Sequence, residues 1–251
     1  MRLNFELREV YAAVLDVYEY CQIRSFPFSC KEVFAHYGYR LMSYHEVSEQ
    51  NPELYQMCTL YSEDAFMDRT NHLVLYNSSI PGQRPRFSQM HELGHIILGH
   101  EGEKEEQEKE ANLFAGMVLT PSMAIHYSRL RNADDLAYAF QISYDAASCA
   151  LSKYYRWYNH VLAYKMSPLD KRMYRHFYNQ DKKCFVWNRH ECSSCHKALY
   201  NCTCQLCPSC QNPPPVDNPF ILYPRFSSQD MIEVEQKIEL RRQEYNWLYN
   251  I

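Results

Sequence analysis

Apolar positions recur at helical intervals through most of the chain and at strand intervals only briefly. Val10, Tyr11, Val14, Leu15 and Tyr18 share one helical face, and a second short helix is predicted after Ser29, whose hydroxyl can cap it. Residues 65–67 and 72–76 are short, strand-like runs. Asp68-Arg69-Thr70-Asn71 between them has the composition of a turn, so a β-hairpin is expected there. Pro81-Gly82 and Pro85 break the chain before residues 87–99, which are apolar on one face and end on a glycine suited to a helix terminus. A run dense in Glu and Lys follows at 101–110. Ala111, Phe114, Ala115 and Val118 then continue at helical spacing until Pro121 stops the helix. Three short helices are predicted between 122 and 158: one near 123–130, one near 133–140 and one capped by Ser143. Ser167-Pro168 reads as a boundary, Pro213-Pro214-Pro215 as a stiff linker, and residues 229–249 as a charged amphipathic helix.

The helical stretch at 87–99 carries His91-Glu92-Leu93-Gly94-His95, an H-E-x-x-H sequence. Residues four apart lie on one face of a helix, so His91 and His95 can offer two imidazole nitrogens to one tetrahedral metal. Glu92 sits one step round the helix, where a carboxylate can take a proton from water activated by the metal. It is therefore the expected general base. A chance match on a core helix is the competing explanation. Two histidines leave a catalytic zinc one protein ligand short, and Glu108, near the start of the next helix, is the expected third. Glu110 is its rival on a different face of the same helix, and Asn112 is a candidate hydrogen-bond partner for a ligating histidine. His100 does not fit the alternative metzincin pattern, which needs Gly and His where this chain has Leu98 and Glu101. It is expected as a helix-end residue, favourable there when protonated.

Composition narrows the classes. At 251 residues, with 46% apolar, the chain can bury one sizeable core and carry a small appendage. The net charge of -4 and the lack of a Lys/Arg block argue against a nucleic-acid surface. The spacing of Leu136, Ala137, Phe140, Ala146, Ala147 and Leu151 resembles a helix-turn-helix, but Asp134, Asp135 and Asp145 would face phosphate with only Lys153 and Arg156 to compensate. Core packing or substrate docking is the better reading of that segment. Charges scattered through the first twenty residues exclude a signal peptide, and no stretch has the length of a membrane span, so a cytoplasmic protein is expected.

Seven of the eleven cysteines fall between Cys184 and Cys210. In a reducing compartment such a cluster favours metal over disulfides. Cys192-Ser193-Ser194-Cys195 and Cys207-Pro208-Ser209-Cys210 form two C-x-x-C knuckles, expected to hold a structural zinc through four thiolates. Cys202 and Cys204 could replace one pair, and His190 and His196 are further candidates. No oxyanion donor is assigned; Tyr127 is near in sequence, but abundant tyrosines are more often packing residues.

The run Arg86-Phe87-Ser88-Gln89-Met90-His91-Glu92-Leu93-Gly94-His95-Ile96-Ile97-Leu98-Gly99-His100, then Glu108-Lys109-Glu110-Ala111-Asn112-Leu113-Phe114-Ala115 and Leu119-Thr120-Pro121, resembles the ImmA/IrrE family of metallo-endopeptidases. Tyr76-Asn77 and residues 140–147 resemble that family's flanking segments, and the likeness spans roughly residues 8–160. It strengthens Glu108 as third ligand. It implies a cytoplasmic zinc peptidase of a bacterium or phage that cleaves a helix-turn-helix repressor. The competing class is a regulator that binds such a repressor without cutting it. The expected architecture is α+β: a mainly helical, zincin-like peptidase domain over residues 1–166 with a small antiparallel sheet, and a linker at 167–183. A zinc-ribbon-like module at 184–212 and a Pro-rich linker with a terminal helix at 213–251 would follow. Two zinc ions are implied, one catalytic and one structural.

Overall fold

A computed structural model describes residues 5–102 and 104–211. The Pro-rich linker and terminal helix expected beyond 212 lie outside the described residues. In chain order the elements are α1 (Phe5–Tyr20), α2 (Cys30–His36), β1 (Arg40–Ser43), α3 (Tyr44–Gln50), α4 (Pro52–Tyr61), β2 (Ala65–Asp68), β3 (Leu73–Tyr76), α5 (Arg84–Ile97), α6 (Glu105–Leu119), α7 (Ser122–Ser128), α8 (Ala133–Phe140), α9 (Tyr144–Tyr164) and α10 (Pro168–Phe177). The short strands β4 (Tyr178–Asn179), β5 (Cys184–Phe185), β6 (Arg189–Glu191) and β7 (Ala198–Tyr200) and the turn α11 (Pro208–Gln211) complete them.

Local chemistry sets most of these limits. Ser29 caps α2 by accepting from the Glu32 amide, and Ser143 caps α9 by accepting from that of Ala146. Pro85 does not break the chain ahead of the motif helix as its sequence suggested. It occupies the first turn of α5, where a proline's fixed φ suits a helix and its missing N–H costs nothing.

The hairpin at 65–76 forms, but the sheet is mixed, not purely antiparallel. β3 lies in the middle, antiparallel to β2 and parallel to β1, with Val74 opposite both Met67 and Leu41. Alternation splits β3 between two cores. Val74 enters the main core with residues of α1, α2, α5 to α10 and the β5 region, while Leu75 packs with Tyr44, Val47 and Cys58 on the opposite side. The sheet is therefore covered on both faces, with α5 on one side and α3 and α4 on the other.

Residues 167–183, expected as a linker, instead contain α10, whose Met173 and Phe177 are buried in the main core. Ser167 is its N-cap and Pro168 its first residue. Asp170 closes a capping box with Ser167 and accepts hydrogen bonds from the Tyr11 hydroxyl (3.0 Å) and the Trp157 indole (2.9 Å). Arg172 pairs with Glu19 and Asp16, tying α10 to α1. The main core then runs on through Phe185 and Trp187, and the Trp187 carbonyl accepts from the Phe26 amide. The small cysteine-centred cluster begins only beyond these residues.

Candidate metal centre

Helix α5 presents His91 and His95 on one face, and α6 crosses it closely. A Cβ on Gly94 would lie 3.1 Å from the Cα of Ala111, so the glycine is what lets the two backbones approach. The approach brings Glu108, one turn before Ala111, over both histidines. Its two carboxylate oxygens lie 3.2 Å from Nε2 of His91 and 3.3 Å from Nε2 of His95, and the two Nε2 atoms are 3.0 Å apart. Ligands held at about 2.0–2.1 Å by a tetrahedral zinc are separated by about 3.3 Å, so the triangle has the right size for that ion.

The outer nitrogens are occupied. Nδ1 of His91 lies 3.1 Å from Oδ1 of Asn112, the partner expected for it. Nδ1 of His95 lies 3.1 Å from Nδ1 of His100, whose Nε2 is 3.0 Å from the Glu110 carboxylate. A consistent proton assignment has His95 donating to His100 and His100 donating to Glu110, which leaves both Nε2 lone pairs turned towards Glu108. Three acceptors converging in this way could hold a cation between them.

His100 is thus more than a helix-end residue. Gly99, at φ +67°, turns the chain back at the end of α5, and the His100 amide donates to the His95 carbonyl. The ring is consequently buried, at 4% exposure, between His95 and Glu110. Arg69, in the hairpin turn, donates to the carbonyls of His95 and His100 and fixes this corner. No spacing rule pointed to His100 or Arg69, because their partners depend on how the chain folds back. Glu110, the rival third ligand, holds His100 and is not in the triangle.

Glu92 follows His91 on α5 and is half-buried. Burial, then the Glu108 carboxylate, pushes its pKa up to about 7, with Arg69 opposing. Burial and the neighbouring His91 bring His95 down to about 4, so its imidazole is neutral and able to ligate at pH 7. Tyr127 stacks on Phe185, with ring centroids 4.6 Å apart, and belongs to the aromatic core.

Residues 59–152 match the family model described as Peptidase_M78, IrrE N-terminal-like domain. That segment resembles the IrrE N-terminal-like domain of the Peptidase_M78 family. The matched IrrE-like segment runs from the end of α4 to the middle of α9 and contains the hairpin, both helices of the metal triangle and Asn112. The cysteine-rich segment lies beyond it. A comparison with curated proteins finds no match. Among the described residues no helix is long and apolar enough to cross a membrane.

The second cluster gathers Cys192, Cys195, Cys207 and Cys210, whose sulfurs all lie within 4.8 Å of one another. Those of Cys195 and Cys207 are 3.7 Å apart, and a tetrahedral zinc with ligands at about 2.3 Å would set about 3.8 Å. Cys192 and Cys195 flank the turn after β6, and Cys207 and Cys210 flank the start of α11. Backbone amides, first that of Cys207, lower the Cys192 thiol to about 6, which favours a thiolate. Cys202 and Cys204 lie outside this group. His190 is engaged by Asn188 and the Cys204 carbonyl, and exposed His196 pairs with Glu191.

Proposed function

We propose that the chain is a zinc-dependent endopeptidase in which His91, His95 and Glu108 hold the ion and Glu92 is the general base. The observation that carries this reading is the Glu108 carboxylate lying against both histidine Nε2 atoms, with half-buried Glu92 on the same helix as the histidines. Zinc bound there would supply a Lewis acid and make a water molecule a nucleophile near neutral pH. Glu92, with its pKa raised to about 7, takes a proton from the attacking water and passes it to the nitrogen of the departing amine. His100 and Glu110 orient His95, and Asn112 orients His91. These groups hold both rings so that their Nε2 atoms face Glu108.

An extended peptide is the substrate form that suits the surroundings. Among the described residues β2 pairs only with β3, and it packs on α5, so its outer edge can add a strand. The family resemblance suggests a helix-turn-helix repressor as that substrate. In this reading the main core carries the peptidase, and Cys192, Cys195, Cys207 and Cys210 close a small module around a structural zinc that serves docking.

The test is to co-express the chain with the repressor encoded nearest its gene, as wild type and as Glu92→Gln. Loss of the intact repressor only with wild type supports the reading, and the variant should retain its zinc. Co-purification with both proteins and no cleavage would favour a binding regulator without catalysis.

A further inference from the structure

A cleft lies on the side of α5 turned away from the histidines. Arg86 and His95 are nine residues apart, which on an α-helix is half a revolution, so the two side chains leave on opposite faces. Arg86 and Gln89 line a cleft of about 370 Å³ between the first turns of α5 and the start of α2. That volume falls in the usual range for small-molecule sites.

One polar atom in this cleft lacks the partner its burial calls for, and a second side chain beside it is unengaged. The Nε of Arg86 is sealed from solvent and meets no acceptor among the described residues, while its guanidinium lies over the Phe28 ring, 5.0 Å from the centroid. Gln89 is only 7% exposed, and no hydrogen bond from the described residues reaches its side-chain amide. A buried charged donor without a partner is costly, so the retention of Arg86 at this position needs a reason. Lys31 adds a second cation to the lining. Glu46, the acid in the same lining, is committed elsewhere, accepting from the Ser43 amide at 2.6 Å and its hydroxyl at 2.9 Å. The cleft therefore offers two cations, a free amide and one acid already held by a helix cap.

We propose that this cleft binds the oxyanion head group of a small molecule, a carboxylate or a phosphate ester, with Arg86 as the charged anchor and Gln89 and Lys31 as further donors. Arg86 suits the role because its planar guanidinium can offer two parallel N–H donors to such a group. The site is separate from the metal triangle and does not depend on catalysis.

The experiment uses the full zinc-loaded chain and sulfate as the probe, with acetate in parallel, at constant ionic strength. The Nε–H resonance of Arg86 and the side-chain amide resonances of Gln89 are followed by NMR. The expected result is a saturable shift of these signals in the millimolar range, with Arg86→Gln and Lys31→Gln each weakening binding, the first by about tenfold or more. Saturation by acetate as well as sulfate identifies a general oxyanion site, and saturation by sulfate alone identifies a phosphate-type site. Linear, non-saturating shifts with both anions would overturn the proposal, as would affinity unchanged in Arg86→Gln. Shifts confined to His91, His95 and Glu108 would assign the anion to the metal triangle and overturn it equally. Lys31 is exposed, so its variant provides a readout if Arg86→Gln fails to fold.

Discussion

Replacing Gly94 by alanine tests whether the close crossing of α5 and α6 sets the metal site. Its new methyl would lie 3.1 Å from the Ala111 Cα, 3.2 Å from a Phe114 ring carbon and 3.3 Å from the Ala111 carbonyl oxygen. Carbon–carbon contacts are comfortable at about 3.5–4.0 Å, so α6 must retreat by about half an ångström. Because two of these neighbours are backbone atoms, no side-chain rotation relieves the clash. Overpacking of this kind costs about 1–3 kcal/mol, against a helix-propensity gain of about 1 kcal/mol for Gly→Ala. Gly116→Ala is the matched control: it has the same propensity gain in mid-helix, but its methyl would meet only the mobile Lys153 Nζ, at 3.3 Å. Gly94→Ala should therefore be about 1–3 kcal/mol less stable than Gly116→Ala, or roughly 2–12 °C lower in Tm for a chain of this size. Glu108 rides on α6, and metal sites tolerate ligand displacements of only about 0.2 Å, so zinc affinity should also fall by about tenfold or more. Thermal unfolding in zinc buffer and competition with a chromogenic chelator read the two effects. If Gly94→Ala equals Gly116→Ala in both, the helix crossing does not position the third ligand.

Other consequences can be checked separately. Substituting His100 by alanine leaves the His95 Nδ1 without its partner, and Asn112→Ala does the same for His91; each should weaken zinc binding about 10–100-fold in chelator competition while Glu105→Ala, on the exposed start of α6, should not. His126 lies among the rings of Tyr154, Trp157 and Tyr158, and burial, then Arg131 and Arg129, lower its pKa to about 4. Between the unfolded value near 6.5 and that value the unfolded chain binds the extra proton, so this contribution is complete above pH 6.5 and is lost as pH falls towards 4. It amounts to at most about 3 kcal/mol. Denaturant titrations of wild type and His126→Phe should diverge in pH slope across this window, and parallel slopes would refute the assignment. Cys207→Ser should lower the zinc content by one ion per chain and expose the amides of β6 and β7 to hydrogen exchange, while leaving the α5 and α6 amides protected.

Local spacing alone determined much of this protein. Four residues on a helix always bring two side chains to one face, so His91 and His95 were legible as a pair before any fold was known. The caps at Ser29 and Ser143, the hairpin turn and the two C-x-x-C knuckles were legible for the same reason: each depends on neighbours within a few residues. The capping signals at Ser43 with Glu46 and Ser167 with Asp170 are equally local, yet the apolar pattern alone predicts neither α3 nor α10.

The tertiary structure decided whatever depended on how separate elements meet. Glu108 and Glu110 are two residues apart on one helix, and only the rotation of α6 against α5, set where Gly94 meets Ala111, directs the first to the histidines and the second to His100. The β1 strand finds β3 across twenty-nine intervening residues, which no local pattern encodes. Phe185 and Trp187 belong to the main core because α10 returns the chain to α1 and the Phe26 carbonyl accepts from Asn188. The sequence could therefore name the metal-binding groups, because their chemistry is carried by residue type and short spacing. Packing alone supplied their angles, their hydrogen-bond partners and the unpaired Arg86 on the far side of the same helix.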